Sequence, residues 1–558
     1  MKQIIKNKFF PIILLSLITI LIFLDLPNTF YQQDEWQTLG HNLAEGMGIF
    51  ANASPLQLLF GETRPLSGLI YLIFLGFYKF TVVPTAIFAI LFHIINATLT
   101  FYLVDKITKK RLVAFIASVF LIANSVSHQA VTWVSAIGTL PAATLILLAI
   151  ITYLKYLEKA DKKYLAVSFL SAILSFYFKG IGIFIFILLP LMAFIYKNKP
   201  INKKNVKDAF IVNLPLFIFG FLMLVFKFSE LFFRTEKIAG IASGADNNFA
   251  QTVILHTILY PLTSLFQIFV PPLDLYPIMP AITKMQYKFL ITSPVSGLVA
   301  ESIVTDMVSI VGSVAILGLL GLITYKCRDI VISRNILFSL LFFFLSFLPY
   351  VIFDRDSSYF SGRYFYVSVI PAGILFGYIV YFFANINTYA KWATLFFVTL
   401  FLFHHSSFIR KDISYNVNLG NERKALLYGI KDIYPKPEKD SIFYVTSNKT
   451  YLGDIITNPF ANGLGYTLEV WYYDSGNIPQ NFLSENFLWV LGDEGYKKID
   501  DKGFGYFQDM DKMAKEMTKN KLSRSIVHGF FFDSNSKEVF NISDEVRLRL
   551  ATISAIPK

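Results

Sequence analysis

The sequence predicts a polytopic α-helical membrane protein of about eleven spans, followed by a small extracytoplasmic α/β domain. Of its 558 residues, 55% are hydrophobic and only 16% are charged, whereas soluble domains carry about 25% charged residues. Apolar runs long enough to cross a bilayer recur up to residue 405, which predicts a membrane domain over 1–405. Residues 406–558 alternate short apolar runs with polar stretches, which indicates a soluble domain.

The first apolar run, 9–26, is predicted to be an uncleaved anchor with the N-terminus in the cytoplasm. Lysines precede it at Lys2, Lys6 and Lys8, and basic residues favour the cytoplasmic side of a membrane. No cleavage site follows the run closely, because the small-x-small triplet 51–53 lies too far downstream.

The remaining predicted spans are oriented by the charge of the loops between them. Loops rich in Lys and Arg are expected in the cytoplasm. Such loops lie at 105–111, 155–163, 197–207 and 326–334. The spans lie at 84–104, 112–127, 138–157, 163–178, 180–197, 208–228, 302–325, 334–353, 363–384 and 389–405.

Two further apolar runs, 65–80 and 251–270, are ambiguous. If 65–80 crossed the membrane, the basic loop 105–111 would lie outside, against its charge. The apolar part of that run is only about 14 residues long, which favours an interfacial or re-entrant helix over a span. Excluding both runs gives eleven spans with the C-terminus outside, and the alternative is thirteen spans with both included.

The soluble tail is predicted to mix strands and helices. The runs 441–446, 487–491 and 525–532 resemble strands, since they are short and rich in aromatic and β-branched residues. Helical patterns near 419–433 and 507–520 separate them.

Composition also argues against several classes of function. The net charge of +12 comes largely from cytoplasmic loops, so we expect no nucleic acid partner. The single Cys327 cannot form a disulfide within one chain, and no phosphate-binding glycine motif of a nucleotide site is present. No cofactor is required; a divalent metal at Asp34, Glu35 and His41 is possible, although their spacing does not demand one.

The first candidate site residues are the adjacent acids Asp34 and Glu35, directly after the first span. A carboxylate at the membrane surface can take a proton from a hydroxyl while a lipid-carried donor waits in the membrane. We therefore predict that they are catalytic, Asp34 above all. Asp34 would also cap a helix from Glu35 to about Glu45.

Cations at outward span ends are the candidate donor-binding residues. Arg363 is predicted to grip a phosphate through two parallel hydrogen bonds, with Tyr364 beside it. Lys179, between two spans, and Arg64, before the interfacial helix, are predicted to contact the same lipid phosphate. The alternative for each is an ordinary membrane-surface anchor.

Polar residues between and within spans are the candidate substrate-cavity residues. The turn around His128, Gln129 and Trp133 is more polar than a hairpin needs. His93 lies inside a span, where a histidine marks either a substrate site or a hydrogen bond between helices.

The order of these motifs resembles that of the GT-C membrane glycosyltransferases, in particular protein O-mannosyltransferase-like enzymes and their bacterial relatives. The shared order is the acidic pair, Arg-Pro-Leu at 64–66, H-x-x-N at 93–96, Ala-Val-x-Trp at 130–133, Lys-Gly at 179–180 and Gly-Arg-Tyr-x-Tyr at 362–366. The resemblance implies a sugar donor on polyprenyl phosphate, with Asp34 activating the acceptor and Arg363 and Lys179 holding the phosphate. Relatives carry an acid where this chain has Gln129.

We therefore expect an inverting glycosyl transfer, of the hexosyltransferase type, on the extracytoplasmic face of the plasma membrane. The partners would be the lipid-linked donor, membrane lipids, and an acceptor that is a protein, a glycan or a lipid. A transporter or flippase is the main alternative, although its ionisable residues would gather near the bilayer midplane. A non-catalytic scaffold that presents the tail is the third.

Overall fold

The structure is a computed structural model that describes most of the chain, and it is mainly helical. The described residues are 9–32, 34–46, 64–196, 203–233, 248–275, 277–278, 297–353, 361–450, 458–460, 463–490 and 492–553. In chain order the helices are α1 (Phe10–Phe23), α2 (Asp34–Glu45), α3 (Pro65–Tyr78), α4 (Val83–Thr108), α5 (Arg111–Ala123), α6 (Gln129–Thr132), α7 (Thr139–Lys159), α8 (Lys162–Phe178), α9 (Ile185–Tyr196), α10 (Lys203–Phe232), α11 (Phe249–Phe269), α12 (Pro272–Leu275), α13 (Gly297–Cys327), α14 (Ile330–Leu345), α15 (Tyr366–Ala384), α16 (Thr388–Ile433), α17 (Leu464–Trp471), α18 (Asn481–Glu485), α19 (Met510–Lys519) and α20 (Ser543–Ile553).

The chain forms two compact units, and neither is one continuous stretch of sequence. The first unit contains Met1–Leu24, Leu59–Ser67 and Phe88–Arg410. The second contains Asp25–Leu58, Gly68–Ile87 and Lys411–Lys558. The sequence predicts one domain boundary, between 405 and 406, and this division into 1–405 and 406–558 stays a prediction.

Long apolar helices identify a multi-pass membrane protein. Within the described ranges, nine helices are long and apolar enough to cross a bilayer. The run 251–270, predicted to be interfacial, forms the 21-residue α11, which has the length of a span. The run 65–80 forms the shorter α3, of 14 residues. The number of spans stays a prediction.

Helix α5 ends earlier than the predicted span 112–127 because a side chain caps the next turn. The amide oxygen of Asn124 accepts the backbone N–H groups of Val126 and Ser127, at 3.1 and 3.3 Å. Such a side-chain turn competes with the helical hydrogen bonds. The chain therefore leaves α5 in the polar loop that leads to Trp133.

Helices α5 and α15 meet with their backbones in contact. A Cβ atom at Gly373 would lie 2.8 Å from the carbonyl oxygen of Ala117, and one at Gly377 would lie 2.8 Å from that of Val113. The two glycines are four residues apart and form the Gly-x-x-x-Gly pattern that allows close helix packing in membranes. This contact holds the start of α15 beside the loop that follows α5.

A five-stranded sheet lies at the centre of the second unit's C-terminal part. Its spatial order is β2-β3-β1-β4-β5, with β1 parallel to β3 and β4 and with antiparallel edge strands. The strands are β1 (Asp440–Ser447), β2 (Gly495–Ile499), β3 (Lys502–Phe507), β4 (Val527–Asp533) and β5 (Glu538–Asn541). The mixed order accords with an α/β domain.

The local predictions for this region are mostly confirmed. Strand β1 covers the run 441–446, β4 covers the run 525–532 from Val527 onward, and α19 covers the central part of 507–520, from Met510 to Lys519. The predicted strand at 487–491 is wrong over the described residues 487–490, and 491 lies outside them. Asn486 and Leu488 have positive φ values of 55° and 60°, so the chain turns there. The predicted helix 419–433 is the end of the 46-residue α16, which is continuous with the run 389–405.

The first-loop helix α2 packs within the second unit. The ring centroid of Trp36 lies 6.1 Å from that of Phe80 and 6.4 Å from that of Trp471. A Cβ atom at Gly40 would lie 2.2 Å from the hydroxyl oxygen of Tyr466, so a glycine is needed at this crossing. The acidic pair therefore belongs to a helix with a buried aromatic face.

Candidate functional site

The turn that carries Arg363 is held in place by Gln129. The Gln129 amide oxygen accepts the hydroxyl of Ser361 at 2.6 Å and the backbone N–H of Arg363 at 3.2 Å. A Cβ atom at Gly362 would lie 2.6 Å from the carbonyl oxygen of Val126, so only glycine fits. Gln129 was predicted to line the substrate cavity, and its amide oxygen is occupied by positioning Arg363.

The Arg363 guanidinium group lies against two aromatic rings. It is 4.3 Å from the ring centroid of Trp133 and 4.9 Å from that of Tyr364. One Nη also donates to the Tyr364 hydroxyl at 3.3 Å, and Tyr364 in turn packs on Tyr350, at 4.8 Å between centroids. Stacking fixes the plane of the guanidinium and leaves further N–H donors for a ligand.

Lys179 lies beside this stack and is almost fully buried, at 7% exposure. Its ammonium group donates to the Thr139 hydroxyl at 2.5 Å and lies 5.7 Å from the Tyr364 ring centroid. Burial, together with the guanidinium groups of Arg64 and Arg363, holds the pKa of Lys179 well below its usual range.

Arg64 completes the group from the start of α3. The Ser67 hydroxyl, in the first turn of α3, donates to the backbone carbonyl of Phe178, the residue before Lys179. A Cβ atom at Gly138 would lie 2.1 Å from the Ser67 hydroxyl oxygen, so this approach also needs a glycine. The exposed Arg64 is thereby brought within electrostatic range of Lys179.

Arg64, Lys179 and Arg363 together form what we call the cationic cluster. Within the described part of the chain, none of the three forms an ion pair with a carboxylate. Like charges gathered at a buried position repel each other, and a bound anion relieves that repulsion. Phosphate, with several oxygens for Arg and Lys donors, matches the cluster best.

The other predicted cavity residues are engaged elsewhere in the first unit. The Nδ1 atom of His93 lies 2.7 Å from the hydroxyl of Tyr366, which also accepts from Asn96 at 3.1 Å. Nδ1 of His128 is hydrogen-bonded to the carbonyl oxygen of Ser125. His93 thus links two helices, and His128 closes the loop before α6.

The predicted catalytic acids lie in the second unit and have different surroundings. Glu35 is 1% exposed, and its carboxylate accepts the backbone N–H of Gln32 at 3.2 Å. Asp34 begins α2 and is half-buried. Asp34 is therefore the better placed of the two to meet a substrate, whereas Glu35 stabilises the turn before α2.

The structure also bears on the possible metal site. The Nε2 atom of His41 lies 2.9 Å from the side-chain oxygen of Asn486. Among the residues that the structure describes, no group of three His, Cys, Asp or Glu side chains is arranged to hold a metal ion. Asp34, Glu35 and His41 therefore do not form such a group.

A separate cleft of about 480 Å³ opens beside the end of β3 in the second unit. Its central acid, Glu494, accepts the backbone N–H groups of Gln508 and Asp509 and the ammonium of Lys512, at 2.8 to 3.0 Å. These bonds use both carboxylate oxygens to fix the start of α19. The carboxylate of Glu494 is thus already neutralised and hydrogen-bonded, so this cleft is a weaker candidate for ligand binding than the cationic cluster.

The fold defines a multi-pass membrane protein, and the cationic cluster is a group of cations without a carboxylate partner among the described residues. In sequence comparisons, no protein-family model matches this chain, and no curated protein matches it. Sequence reasoning missed Thr139 and the positioning role of Gln129. Both are single polar residues whose partners lie far away in the sequence, so no local pattern marks them.

Proposed function

We propose that this protein is a glycosyltransferase that takes a sugar from a polyprenyl-phosphate donor at the extracytoplasmic face of the plasma membrane. The observation that carries the proposal is the cationic cluster, in which Arg64, Lys179 and Arg363 lack carboxylate partners within the described residues. A donor held by its lipid phosphate also explains why no nucleotide motif is needed.

The cationic cluster is suited to stabilise a phosphate that acts as a leaving group. As the glycosidic bond breaks, negative charge grows on the phosphate oxygens. Donors fixed in place before the reaction stabilise this charge more in the transition state than in the ground state. Arg363 is fixed by Trp133 and by the bonds to Gln129, so it meets this requirement.

Asp34 is the proposed general base. Its carboxylate would take the acceptor's proton as the acceptor oxygen attacks the anomeric carbon, and the lipid phosphate would leave from the opposite face with inversion. The support for this role is the position of Asp34 directly after the first span and its half-exposed side chain. The acceptor is a protein, a glycan or another lipid.

The test is transfer by the purified protein in vesicles that contain a panel of polyprenyl-phosphate sugars. Wild-type protein should consume one donor and release polyprenyl phosphate. Arg363→Ala should lower donor use about 10²-fold or more, and Asp34→Asn should abolish transfer while donor binding persists. Lys326→Ala, at an exposed position outside the cluster, is the control. Full turnover by both site variants would contradict the proposal.

A flippase for lipid-linked substrates is the second candidate, because the cationic cluster would hold a lipid phosphate equally well without chemistry. The product of the reaction distinguishes a flippase from a glycosyltransferase. A flippase would move the donor between leaflets and leave the sugar–phosphate bond intact, whereas the transferase would release free polyprenyl phosphate.

A further inference from the structure

A second group of cations and tyrosines lies at the other end of α15. Arg363 precedes α15, whereas Tyr378 and Tyr381 lie in its last two turns. Since a helix rises 1.5 Å per residue, the 19 residues of α15 span about 28 Å, close to the hydrocarbon thickness of a bilayer. This second group therefore lies at the membrane face opposite the cationic cluster.

The tyrosine–arginine group, as we name it, consists of Lys110, Tyr196, Arg334, Tyr378 and Tyr381. The ammonium of Lys110 donates to the hydroxyl of Tyr381 at 2.9 Å and lies 4.3 Å from its ring centroid. The Arg334 guanidinium lies 4.9 Å from the ring centroid of Tyr196 and within electrostatic range of Tyr378. Four different helix ends or loops thus contribute to one group.

Asn335 connects the tyrosines and uses both of its side-chain N–H donors. Its side-chain oxygen accepts the Tyr196 hydroxyl at 3.0 Å. Its amide nitrogen donates to the Ile107 carbonyl at 2.9 Å and to the Tyr378 hydroxyl at 2.8 Å. Tyr378 is therefore an acceptor in this network, and its own hydroxyl proton has no acceptor among the described residues.

The group has more donors than acceptors. The Nε–H of Arg334 is buried and has no hydrogen-bond partner in the described part of the chain, and a buried donor left unpaired costs free energy. Asp329 is an acid within electrostatic range of Tyr378, and its carboxylate caps α14 by accepting the Val331 N–H at 2.8 Å. An anion would supply acceptors for these N–H and O–H groups and is favoured by the two cations beside them.

We propose that the tyrosine–arginine group binds the phosphate of an anionic lipid headgroup, in the leaflet opposite the cationic cluster. Lys110 lies between α4 and α5, and Arg334 lies in the second turn of α14, so both are at the depth of lipid headgroups. Basic pockets between transmembrane helices bind anionic headgroups through such contacts. This site is independent of the proposed sugar transfer.

The test measures lipid binding to the full-length protein in detergent, by the shift in thermal unfolding on titration with phosphatidylglycerol, phosphatidylcholine or inorganic phosphate. Phosphatidylglycerol should stabilise the wild-type protein, and the other two should not. Arg334→Gln should weaken phosphatidylglycerol binding about fivefold. Tyr378→Phe keeps the ring and removes the hydroxyl donor, so it should weaken phosphatidylglycerol binding roughly threefold. This variant replaces Arg334→Gln in the test if Arg334→Gln does not fold.

The control is Lys326→Gln, which removes an exposed charge from the same basic loop region. Binding within twofold of wild type is expected for this variant. Equal losses in the control and in Arg334→Gln would mean general surface attraction and would overturn the proposal. So would unchanged binding by the site variants, or equal stabilisation by inorganic phosphate, which would indicate a site for a soluble anion.

Discussion

Each unit of the molecule encloses an ionisable side chain, and the surroundings of the two differ. Lys179 in the first unit lies among a hydroxyl, an aromatic ring and two further cations. Glu469 in the second unit is 0% exposed on α17, whose eight residues are all buried. Neither carboxyl oxygen of Glu469 has a hydrogen-bond partner among the described residues.

The difference shows that burial alone does not identify a binding group. Burial raises the pKa of Glu469 well above its usual range, and the charge of Lys497 offsets only part of this effect. Burial therefore favours the protonated, neutral form of Glu469, which needs no ligand. Around Lys179 the described residues hold several positive charges without a carboxylate partner, and this is the property that indicates an anion site.

The largest expected effect is on activity, from Lys179→Met. Removing one fixed cation from a departing phosphate should lower transfer about 10²-fold. Folding should not suffer, since Met has a similar length and avoids burying a charge. Transfer by the purified variant, together with its thermal unfolding midpoint, checks both parts. Lys326→Met is the control, and unchanged transfer by Lys179→Met would remove Lys179 from the site.

The second prediction concerns Glu469 and the pH dependence of stability. Above the ordinary carboxyl pKa of 4.5, the unfolded chain loses a proton that folded Glu469 keeps. Stability should therefore fall as pH rises, by up to about 1.4 kcal/mol per pH unit, until the raised folded pKa is reached. Below pH 4.5 both states hold the proton and this contribution vanishes.

Glu469→Gln separates this contribution from those of other groups. The variant should be more stable than wild type at pH 8 and nearly equal to it at pH 4, as measured by thermal unfolding at each pH. Transfer activity should stay unchanged, in contrast to Lys179→Met. A constant stability difference across this pH range would show that Glu469 does not titrate in this way.

The third prediction tests the support of Arg363. Gln129→Leu removes the acceptor for Ser361 and for the Arg363 backbone, so the turn should loosen and the KM for the donor should rise about tenfold. Gln129→Glu keeps both acceptors but adds a charge that competes with the phosphate, so it should also raise KM. Hydrogen exchange of the peptide around 361–365 should increase only in the Leu variant. Equal exchange in both would contradict the positioning role.

The smallest expected effect comes from an exposed ion pair within the second unit. The ammonium of Lys79 lies 3.1 Å from the carboxylate of Asp474, and both side chains are well exposed. Lys79→Gln should lower stability by less than about 1 kcal/mol, and less still at high salt. Thermal unfolding at low and high ionic strength measures this difference in stability. A loss of stability larger than this would contradict the prediction that the ion pair contributes little.

Local patterns predicted much of the fold because hydropathy and helix capping depend on neighbouring residues. The helices at 65–78 and after Asp34 are examples. The error at 487–491 also comes from reliance on local patterns. A short apolar run resembles a strand in sequence whether the chain pairs with another strand there or forms a turn. Asn486 ends α18 in the left-handed conformation that asparagine tolerates, whereas the positive φ value of Leu488 has no such local signal.

The candidate site could be predicted only in part. Arg363, Lys179 and Trp133 could be placed at outward span ends, and the structure brings them together. The hydrogen bond from the backbone of Arg363 to Gln129 joins residues 234 positions apart, so no local pattern reveals it. The burial of Glu35 could not be foreseen either, because Asp34 and Glu35 are chemically alike and only packing distinguishes them.

The glycine contact between α5 and α15 has a consequence for how this protein can fail. Gly373 lies within α15, ten residues beyond Arg363 in the sequence, yet a methyl group there would push α15 away from α5 and shift the arginine with it. A random-mutagenesis screen for inactive protein should thus recover changes at Gly373 and Gly377 in the bilayer interior. Such variants would mimic an active-site defect although the altered residues never touch the donor.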